Sequence, residues 1–258
     1  MVCLPSFGLD RHATAAAVEP AVADYPGVRR VYLDLPGVGD SPAGPATAEA
    51  VVAESSLLLE RELGSQPYLL LGWSYGGYLA CALARRRSPQ PDGLFLICPP
   101  GPRFLPSEQR ILPPPRDKPP DWVEDVPAEL RDDLTLALET PSASVAASVA
   151  RLVTGSRRDE DYLERLRAAA ALEDEAAEIT YSQPVCIVTG RQDRIGGYVQ
   201  QLELLERYPH ATFAVIDGAG HFLPFERPAL FRSLLRTWLD RCLHREDAAT
   251  SEEPRPGI

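Results

Sequence analysis

The chain has 258 residues, a length typical of one α/β domain that carries an insertion and sufficient to bury a sizeable core. Its formal net charge of -11 argues against a nucleic-acid partner and against an anionic membrane surface, because both attract basic protein faces. Five cysteines, an odd number at wide spacings without a C-x-x-C pair, indicate neither a disulfide framework nor a zinc site.

The beginning of the chain predicts no targeting segment. The opening stretch Met1-Val2-Cys3-Leu4-Pro5 lacks the basic region and the long apolar region of a signal peptide. No uncharged apolar run elsewhere reaches the length of a membrane span. We therefore expect a soluble cytoplasmic protein, and no feature of the sequence indicates an oligomeric state.

Apolar runs typical of strands alternate along the chain with segments typical of helices. The runs that predict strands are Val2–Leu4, Val31–Leu35, Tyr68–Leu71, Leu94–Cys98, Val185–Thr189 and Ala211–Ile216. Helices are predicted over Ala46–Leu63, over Tyr78–Arg85 and from about Tyr198 to Tyr208. Continuous Val/Ile/Leu runs separated by helices indicate a mostly parallel sheet covered by helices on both faces.

The most informative motif is Gly72-Trp73-Ser74-Tyr75-Gly76, a G-x-S-x-G sequence. A predicted strand precedes it and a predicted helix follows it, as in a nucleophile elbow, a tight turn that exposes its serine at the edge of a sheet. The strained backbone of such a turn leaves no room for side chains two residues before and after the serine, which explains the glycines. Ser74 is therefore the candidate nucleophile.

The strand–helix alternation stops between Cys98 and Val185. Residues 99–127 are rich in proline, and residues 128–178 predict two or three helices. Ligands of open α/β sheets bind at the carboxyl ends of the strands, where this segment must emerge. We therefore predict an α/β core formed by residues 1–98 and 181–243, a mobile helical lid over 99–180 that sets substrate choice, and a disordered tail over 244–258. The alternative is that the insertion is a surface decoration without contact to the site.

An activated serine needs a base, and the base needs an acid that holds its tautomer. Asp193 follows one predicted strand and His221 follows the next, so both lie in loops at the same edge of the sheet as Ser74. Asp217 is the rival candidate for the acid, although its position predicts turn capping. The remaining histidines are less well placed, and they are His12, His210 and His244.

An oxyanion hole should combine the backbone N–H of Tyr75, which follows the nucleophile, with an N–H from the first loop. Proline cannot donate, and within Pro5–Gly8 we choose Phe7. Aromatic side chains commonly line apolar pockets, and the aromatic candidates for substrate contact are Trp73, Phe222 and Trp122. Packing in the core is the alternative for each of these three, and for Trp122 it takes the form of anchoring the lid.

Taken together, four segments of the sequence resemble the α/β-hydrolase superfamily. They are the elbow, Asp34-Leu35-Pro36-Gly37-Val38-Gly39-Asp40-Ser41, Thr189-Gly190-Arg191-Gln192-Asp193 and Gly220-His221. The resemblance is greatest to its lid-bearing branch with a serine nucleophile, which includes proline iminopeptidase-like and esterase-like members. It implies an α/β-hydrolase fold, Ser74 as nucleophile, Asp193 as acid, His221 as base, and no metal or organic cofactor.

Two features depart from the superfamily pattern. Members usually carry a His-Gly pair in the first loop, where this chain has Pro5-Ser6. Members also begin with a β-hairpin before the first strand found here, so we expect that hairpin to be missing or to lie upstream.

The leading expectation is a serine hydrolase that cleaves an ester, thioester or amide of a small, apolar molecule through an acyl-enzyme. Because many functions share this fold, a non-hydrolytic lyase or cyclase in a biosynthetic pathway is the alternative. A third hypothesis is a non-enzymatic binding protein, and the complete set of triad residues argues against it.

Overall fold

The structure is a computed structural model that describes residues 1–119 and 121–244. Its described residues form one six-stranded sheet in which every pair of neighbours is parallel. The strands are β1 (Val2–Leu4), β2 (Val31–Tyr32), β3 (Leu69–Trp73), β4 (Gly93–Ile97), β5 (Val185–Gly190) and β6 (Ala211–Ile216). Their order across the sheet is β2-β1-β3-β4-β5-β6, which confirms the expected parallel α/β architecture.

Helices cover the sheet on both faces. The α-helices are α1 (Arg11–Val22), α2 (Ala48–Leu63), α3 (Tyr75–Arg86), α4 (Arg131–Ala137), α5 (Ala143–Gly155), α6 (Glu160–Ala168), α7 (Leu204–Arg207), α8 (Leu223–Glu226) and α9 (Pro228–Leu243). Short 3-10 helices span Ser107–Gln109, Asp121–Val123, Ala128–Leu130 and Gln200–Glu203. None of the helices found within the described ranges is long and apolar enough to cross a membrane.

Two hydrophobic cores result from the alternation of side chains along each strand. On β3, Leu70 belongs to the core under α2 and α3, whereas Leu71 belongs to the core under α1 and α9. Both leucines are 0% exposed. This burial on both faces explains why the strands are continuous apolar runs rather than alternating ones.

Several predicted boundaries differ from the structure. The strand predicted over Val31–Leu35 ends at Tyr32, although the N–H of Leu33 still donates to the carbonyl of Cys3 at 3.0 Å. The helix predicted from about residue 198 to 208 is a 3-10 helix followed by the single turn α7. The sequence interpretation did not include α1 or α9.

The insertion over residues 99–180 contains α4, α5 and α6 after three 3-10 helices, in agreement with the two or three helices expected. Within its described residues it contributes no strand to the sheet. Buried side chains of α5 join the core under α1 and α9; they are Ala146, Val149 and Ala150. The tail expected over 244–258 lies, apart from His244, outside the described residues.

Candidate active site

Ser74 lies at the junction of β3 and α3 in a strained backbone conformation. Its φ is +53° and its ψ is -119°, a region that residues other than glycine rarely occupy. A Cβ on Gly72 would overlap the carbonyl oxygen of Gly76, and a Cβ on Gly76 would overlap that of Pro5. Only glycine fits at both positions, so the sequence motif follows from the tightness of this turn.

The side chains of Ser74, His221 and Asp193 form one continuous hydrogen-bonded chain. Ser74 Oγ lies 2.8 Å from His221 Nε2, and His221 Nδ1 lies 2.8 Å from Asp193 Oδ2. Because a carboxylate accepts, Nδ1 carries the imidazole proton and Nε2 is left as the acceptor for the serine hydroxyl. Asp193 is 0% exposed and His221 4% exposed, whereas Ser74 is partly exposed.

The backbone around the acid holds its carboxylate in place. Asp193 Oδ1 accepts from the N–H of Ile195 at 2.8 Å and from that of Gly196 at 2.9 Å. The other oxygen, Oδ2, is thereby left to the imidazole of His221. A buried carboxylate needs such partners, since an unpaired charge is costly away from water.

Hydrogen bonds join the loop that carries His221 to the insertion. The N–H of His221 donates to the carbonyl of Ala137 at 2.8 Å, at the end of α4. Glu226 is 5% exposed, and its Oε1 accepts from Gly220 N–H at 2.7 Å. Its Oε2 accepts from the N–H groups of Glu139 and Thr140 at 2.6 and 2.7 Å. One buried carboxylate therefore joins the loop before His221 to the segment after α4.

Asp217, the rival acid, does not reach the imidazole. Its Oδ1 accepts from Gln192 Nε2 at 2.7 Å, and its side chain is 65% exposed. This hydrogen bond, with nearby Arg116 and Arg191, holds the pKa of Asp217 below its ordinary value. The other histidines are exposed on the surface, and they are His12, His210 and His244.

Phe7 and Tyr75, whose backbone amides are predicted to form the oxyanion hole, lie next to each other beside Ser74. The rings of Phe7 and Tyr75 contact each other edge to face with centroids 5.4 Å apart, and both residues line the cavity beside Ser74. Among the hydrogen bonds found between described residues, none is donated by the backbone N–H of Phe7 or of Tyr75. Neither N–H group therefore has an acceptor among the described residues, and their role in an oxyanion hole stays a prediction.

A cavity of about 530 Å³ opens at Ser74 between the sheet edge and the insertion. Phe222 and His221 line it from the core, while Leu130, Leu134 and Val153 are among the apolar residues that line it from the insertion. The further lining residues are Ser6, Leu9, Pro100, Phe104, Pro106, Ser107, Glu108, Arg110, Asp133, Ala137, Arg158, Arg167, Ile195 and Gly196. The insertion is therefore one wall of the cavity rather than a remote decoration.

Two of the three aromatic candidates for substrate contact do not line this cavity. Trp73 is 0% exposed and packs behind the imidazole loop, where its Nε1 donates to the carbonyl of His221 at 3.3 Å. Trp122 is 6% exposed and packs in the core under α1 and α9. Both positions correct the expectation of substrate contact, because the strand alternation and the 3-10 turn direct these rings into the interior. Phe222 is the one that reaches the cavity.

Cys98 lies close to the imidazole and its acid. Potential ligand atoms of Cys98, Asp193 and His221 lie within 4.8 Å of one another. Burial raises the pKa of the Cys98 thiol well above its ordinary value, so the sulfur is a protonated, poor ligand. The carboxylate and the imidazole are already bound to each other. This donor set suits a proton relay better than a metal ion.

Sequence reasoning missed the charged residues that the insertion brings to the cavity, which are the arginines Arg110, Arg158 and Arg167 and the acidic residues Glu108 and Asp133. They lie in or beside irregular turns and short helices, and no spacing rule predicts their direction. Glu226 was missed too, although an acidic residue directly after the apolar segment Phe222–Phe225, close to His221 in the chain, was a usable signal.

The sequence matches the alpha/beta hydrolase family over residues 1–234, so the chain belongs to this family. It is also 27% identical over 232 residues to the polyketide synthase ThaQ of Burkholderia thailandensis. The matched stretch covers 86% of this chain and 11% of that much longer protein. The chain thus spans about a ninth of the length of this relative.

Solved structures of α/β hydrolases share the fold. An alpha/beta superfamily hydrolase from Oenococcus oeni PSU-1 superimposes with a TM-score of 0.77 at 24% identity, over 93% of this chain and 92% of that one. A thermophilic esterase from Thermogutta terrifontis gives 0.70 at 23% identity, over 93% and 89%. The meta-cleavage product hydrolase CumD from Pseudomonas fluorescens IP01 gives 0.69 at 21% identity, over 93% and 90%.

Proposed function

We propose that the protein is a serine hydrolase that cleaves an ester, thioester or amide through an acyl-enzyme on Ser74. The observation that carries the proposal is the chain of two 2.8 Å contacts from Ser74 through His221 to Asp193. Such a chain supplies a nucleophile, a base and an orienting acid at one cavity. No metal or cofactor enters the proposed reaction.

In the proposed acylation, Ser74 Oγ attacks the substrate carbonyl carbon while His221 Nε2 takes the hydroxyl proton. Asp193 stabilises the imidazolium that forms, because its Oδ2 accepts from Nδ1. The carbonyl electrons move onto oxygen, where the amides of Phe7 and Tyr75 would donate to the oxyanion. As the tetrahedral intermediate collapses, His221 gives its proton to the leaving oxygen, sulfur or nitrogen.

In the proposed deacylation, water replaces the leaving group. His221 takes a proton from the water as its oxygen attacks the acyl carbon. The second intermediate then expels Ser74 Oγ, which recovers its proton from the imidazole. The products are a carboxylic acid and the free enzyme. Partial exposure of Ser74, against near-complete burial of the other two side chains, is consistent with access for substrate and water at the serine alone.

The similarity to part of a polyketide synthase supports a second candidate, a cyclase in a biosynthetic pathway. Acylation would be the same. A hydroxyl group elsewhere on the acyl chain would then attack the acyl carbon in place of water, give its proton to His221 and release a cyclic ester. A cavity of about 530 Å³, lined partly by Leu130, Leu134 and Val153, can hold a folded chain of this kind.

Product analysis in ¹⁸O-labelled water separates these candidates. Purified protein is incubated with p-nitrophenyl acyl esters, once with plain acyl chains and once with an ω-hydroxyacyl chain. A hydrolase releases acid that carries one ¹⁸O from every substrate, whereas a cyclase converts the hydroxyacyl ester into an unlabelled lactone. The Ser74→Ala variant is the control for both. Turnover of that variant at the wild-type rate would contradict both candidates.

A further inference from the structure

We infer that the substrate carries an anionic group, a carboxylate or a phosphate, which binds to Arg158 and Arg167 at the insertion side of the cavity. The inference rests on the proposed function and adds the class of substrate to it. Both guanidinium groups belong to residues that line the cavity opening at Ser74, and both come from the insertion. The whole chain has a net charge of -11, so a cavity wall with an excess of arginines has the opposite charge to the protein as a whole.

The two arginines lie over the first loop, next to the proposed oxyanion donor. Arg167 Cζ lies 5.0 Å from the centroid of the Phe7 ring, in a cation–π arrangement. Arg158 Cδ lies within 3.5 Å of the position that a Cβ on Gly8 would occupy. An anionic group held there would lie on the same side of the cavity as the Phe7 amide.

Their ion pairing inside the protein is weak. Throughout residues 1–119 and 121–244, no carboxylate forms an ion pair with Arg167. Arg158 Nε pairs with Glu160 at 2.9 Å, but that carboxylate is 71% exposed and is therefore a partner that solvent screens. Neither charge is consumed by a buried internal partner, so both remain able to bind an anion from solution.

A third arginine adds to the positive lining. Arg110 is half-buried and donates to the carbonyls of Leu105 and Ile195 at 2.9 and 2.8 Å, and no carboxylate within the described residues forms an ion pair with it. Burial lowers the pKa of Arg110, and the charge of Asp193 opposes this shift. The carboxylates of Asp193 and Glu108 act on Arg110 without forming an ion pair with it, so an anionic ligand in the cavity can supply a direct counter-charge to this partly desolvated cation.

Two carboxylates also line the cavity and reduce its positive potential. They belong to Glu108 and Asp133, and both side chains are exposed. Three guanidinium groups outnumber these two carboxylates. The positive lining is also concentrated near the first loop, where Arg158 and Arg167 lie. An anion bound at that place meets two cations directly, in charge-assisted hydrogen bonds that are stronger than neutral ones.

The anionic group can belong to the acyl part of the substrate or to its leaving group. The first arm of the test compares p-nitrophenyl hydrogen glutarate with p-nitrophenyl valerate, which have acyl chains of equal length with and without a terminal carboxylate. The second arm compares butyryl-coenzyme A, which has an anionic leaving group, with neutral S-butyryl-N-acetylcysteamine. Each arm gives the ratio of the two kcat/KM values for the wild type, Arg158→Gln, Arg167→Gln and the double variant.

Arg165→Gln is the matched control, because Arg165 is an exposed arginine on α6 that does not line the cavity. In at least one arm we expect the wild type to prefer the anionic substrate and the double variant to lose about tenfold or more of that preference. Arg165→Gln should keep the wild-type ratio. Labelling of Ser74 by a fluorophosphonate in every variant verifies that the site is intact.

The arm that responds tells which part of the substrate carries the anion. Ratios that are the same in the double variant and the wild type in both arms would overturn the inference, as would an equal loss in Arg165→Gln. Those outcomes leave the proposed hydrolase intact provided that turnover still depends on Ser74. If Ser74→Ala retains wild-type turnover, the proposed function itself is wrong.

Discussion

The sheet edge and the insertion contribute to the same cavity in different ways. At the sheet edge, three parallel strands end in loops that hold Ser74, Asp193 and His221, and each of these side chains has hydrogen-bond partners within 3 Å. The insertion supplies apolar residues and arginines from short helices and turns. Regular strands position atoms accurately, whereas an irregular segment can vary the cavity wall without moving the strands.

This comparison suggests a division of labour between reaction and recognition. Changes at the sheet edge should abolish turnover of every substrate, and changes in the insertion should alter the ranking of substrates. The boundary between the regions is not sharp, because Ala137 and Glu226 join the insertion to the loop of His221. The mobile lid that the sequence suggested remains a prediction. Opening near residues 137–140 would have to break these hydrogen bonds.

The largest effect should come from Ser74→Ala. Without the hydroxyl no acyl-enzyme can form, and we expect kcat for p-nitrophenyl butyrate to fall by about 10⁴-fold or more. Circular dichroism and the thermal midpoint should remain close to those of the wild type, since alanine removes one oxygen from a partly exposed side chain. Retention of more than a tenth of the activity would break the assignment of the reaction to the sheet edge.

A comparison of two aspartates tests the acid. Asp193→Asn should lower kcat by about 10⁴-fold, because an amide holds the wrong tautomer of the imidazole and cannot stabilise its cation. Asp217→Asn is the matched control: this carboxylate binds Gln192 at the surface and should leave kcat nearly unchanged. Steady-state kinetics of the two purified variants decide the matter, and the reverse ranking would transfer the acid role to Asp217.

Glu226→Gln tests the junction between the two regions. The carboxylate accepts from three backbone N–H groups, whereas the amide offers one oxygen and brings donors of its own. Because the loop of His221 loses part of its support, we expect kcat to fall by about tenfold and the free energy of unfolding to fall by about 1–3 kcal/mol.

The readout that separates positioning from general stability is the split between kcat and KM at a temperature where the Glu226→Gln variant is fully folded. A junction that positions the imidazole predicts a lower kcat at nearly constant KM. Unchanged kcat with reduced stability would mean that Glu226 serves the fold alone.

Substitutions in the wall of the cavity should change the preference between acyl-chain lengths more than they change the overall rate of turnover. Leu130→Ala and Val153→Ala enlarge the apolar part of the cavity, so longer acyl chains should gain on shorter ones by about tenfold in kcat/KM. Ile111→Ala is the control within the insertion, since Ile111 is 58% exposed and does not line the cavity. The measurement is kcat/KM across p-nitrophenyl acetate to decanoate. Identical chain-length profiles in all variants would contradict a role of the insertion in recognition.

The smallest effect should concern stability at the far end of the insertion. Asp174 pairs with Arg85 at 2.6 Å and with Arg86, and these hydrogen bonds hold the pKa of Asp174 well below its ordinary value. A carboxylate of lowered pKa stabilises the fold above its unfolded pKa and loses this contribution as the pH falls. Asp174→Asn should therefore cost about 1 kcal/mol near pH 7, and the difference from wild type should shrink below about pH 4.

Urea unfolding of wild type and Asp174→Asn at several pH values measures this difference. Asp24→Asn is the control, because Asp24 pairs with Arg236 while 71% exposed. A cost for Asp174→Asn that stays constant with pH would show that charge is not its origin.

The part of the structure that the sequence predicts also differs between the sheet edge and the insertion. The G-x-S-x-G motif, the buried strands and the loops of Asp193 and His221 have local signals, because a parallel sheet puts the carboxyl ends of its strands at one edge. The direction of Trp122 has none, whereas the direction of Trp73 has a signal in the strand alternation that our prediction did not use. Trp73 continues a strand whose alternation directs its ring into the core, and Trp122 lies in a 3-10 turn whose packing depends on distant helices.

Fluorophosphonate labelling followed by mass spectrometry tests the central claim most directly. The account predicts a single adduct per chain, located by peptide mapping on Ser74, because His221 and the strained turn activate this hydroxyl alone. Labelling should slow by at least about a hundredfold in His221→Ala and disappear in Ser74→Ala. Absence of an adduct on the wild type, an adduct on another residue, or equal labelling rates in wild type and His221→Ala would contradict the account.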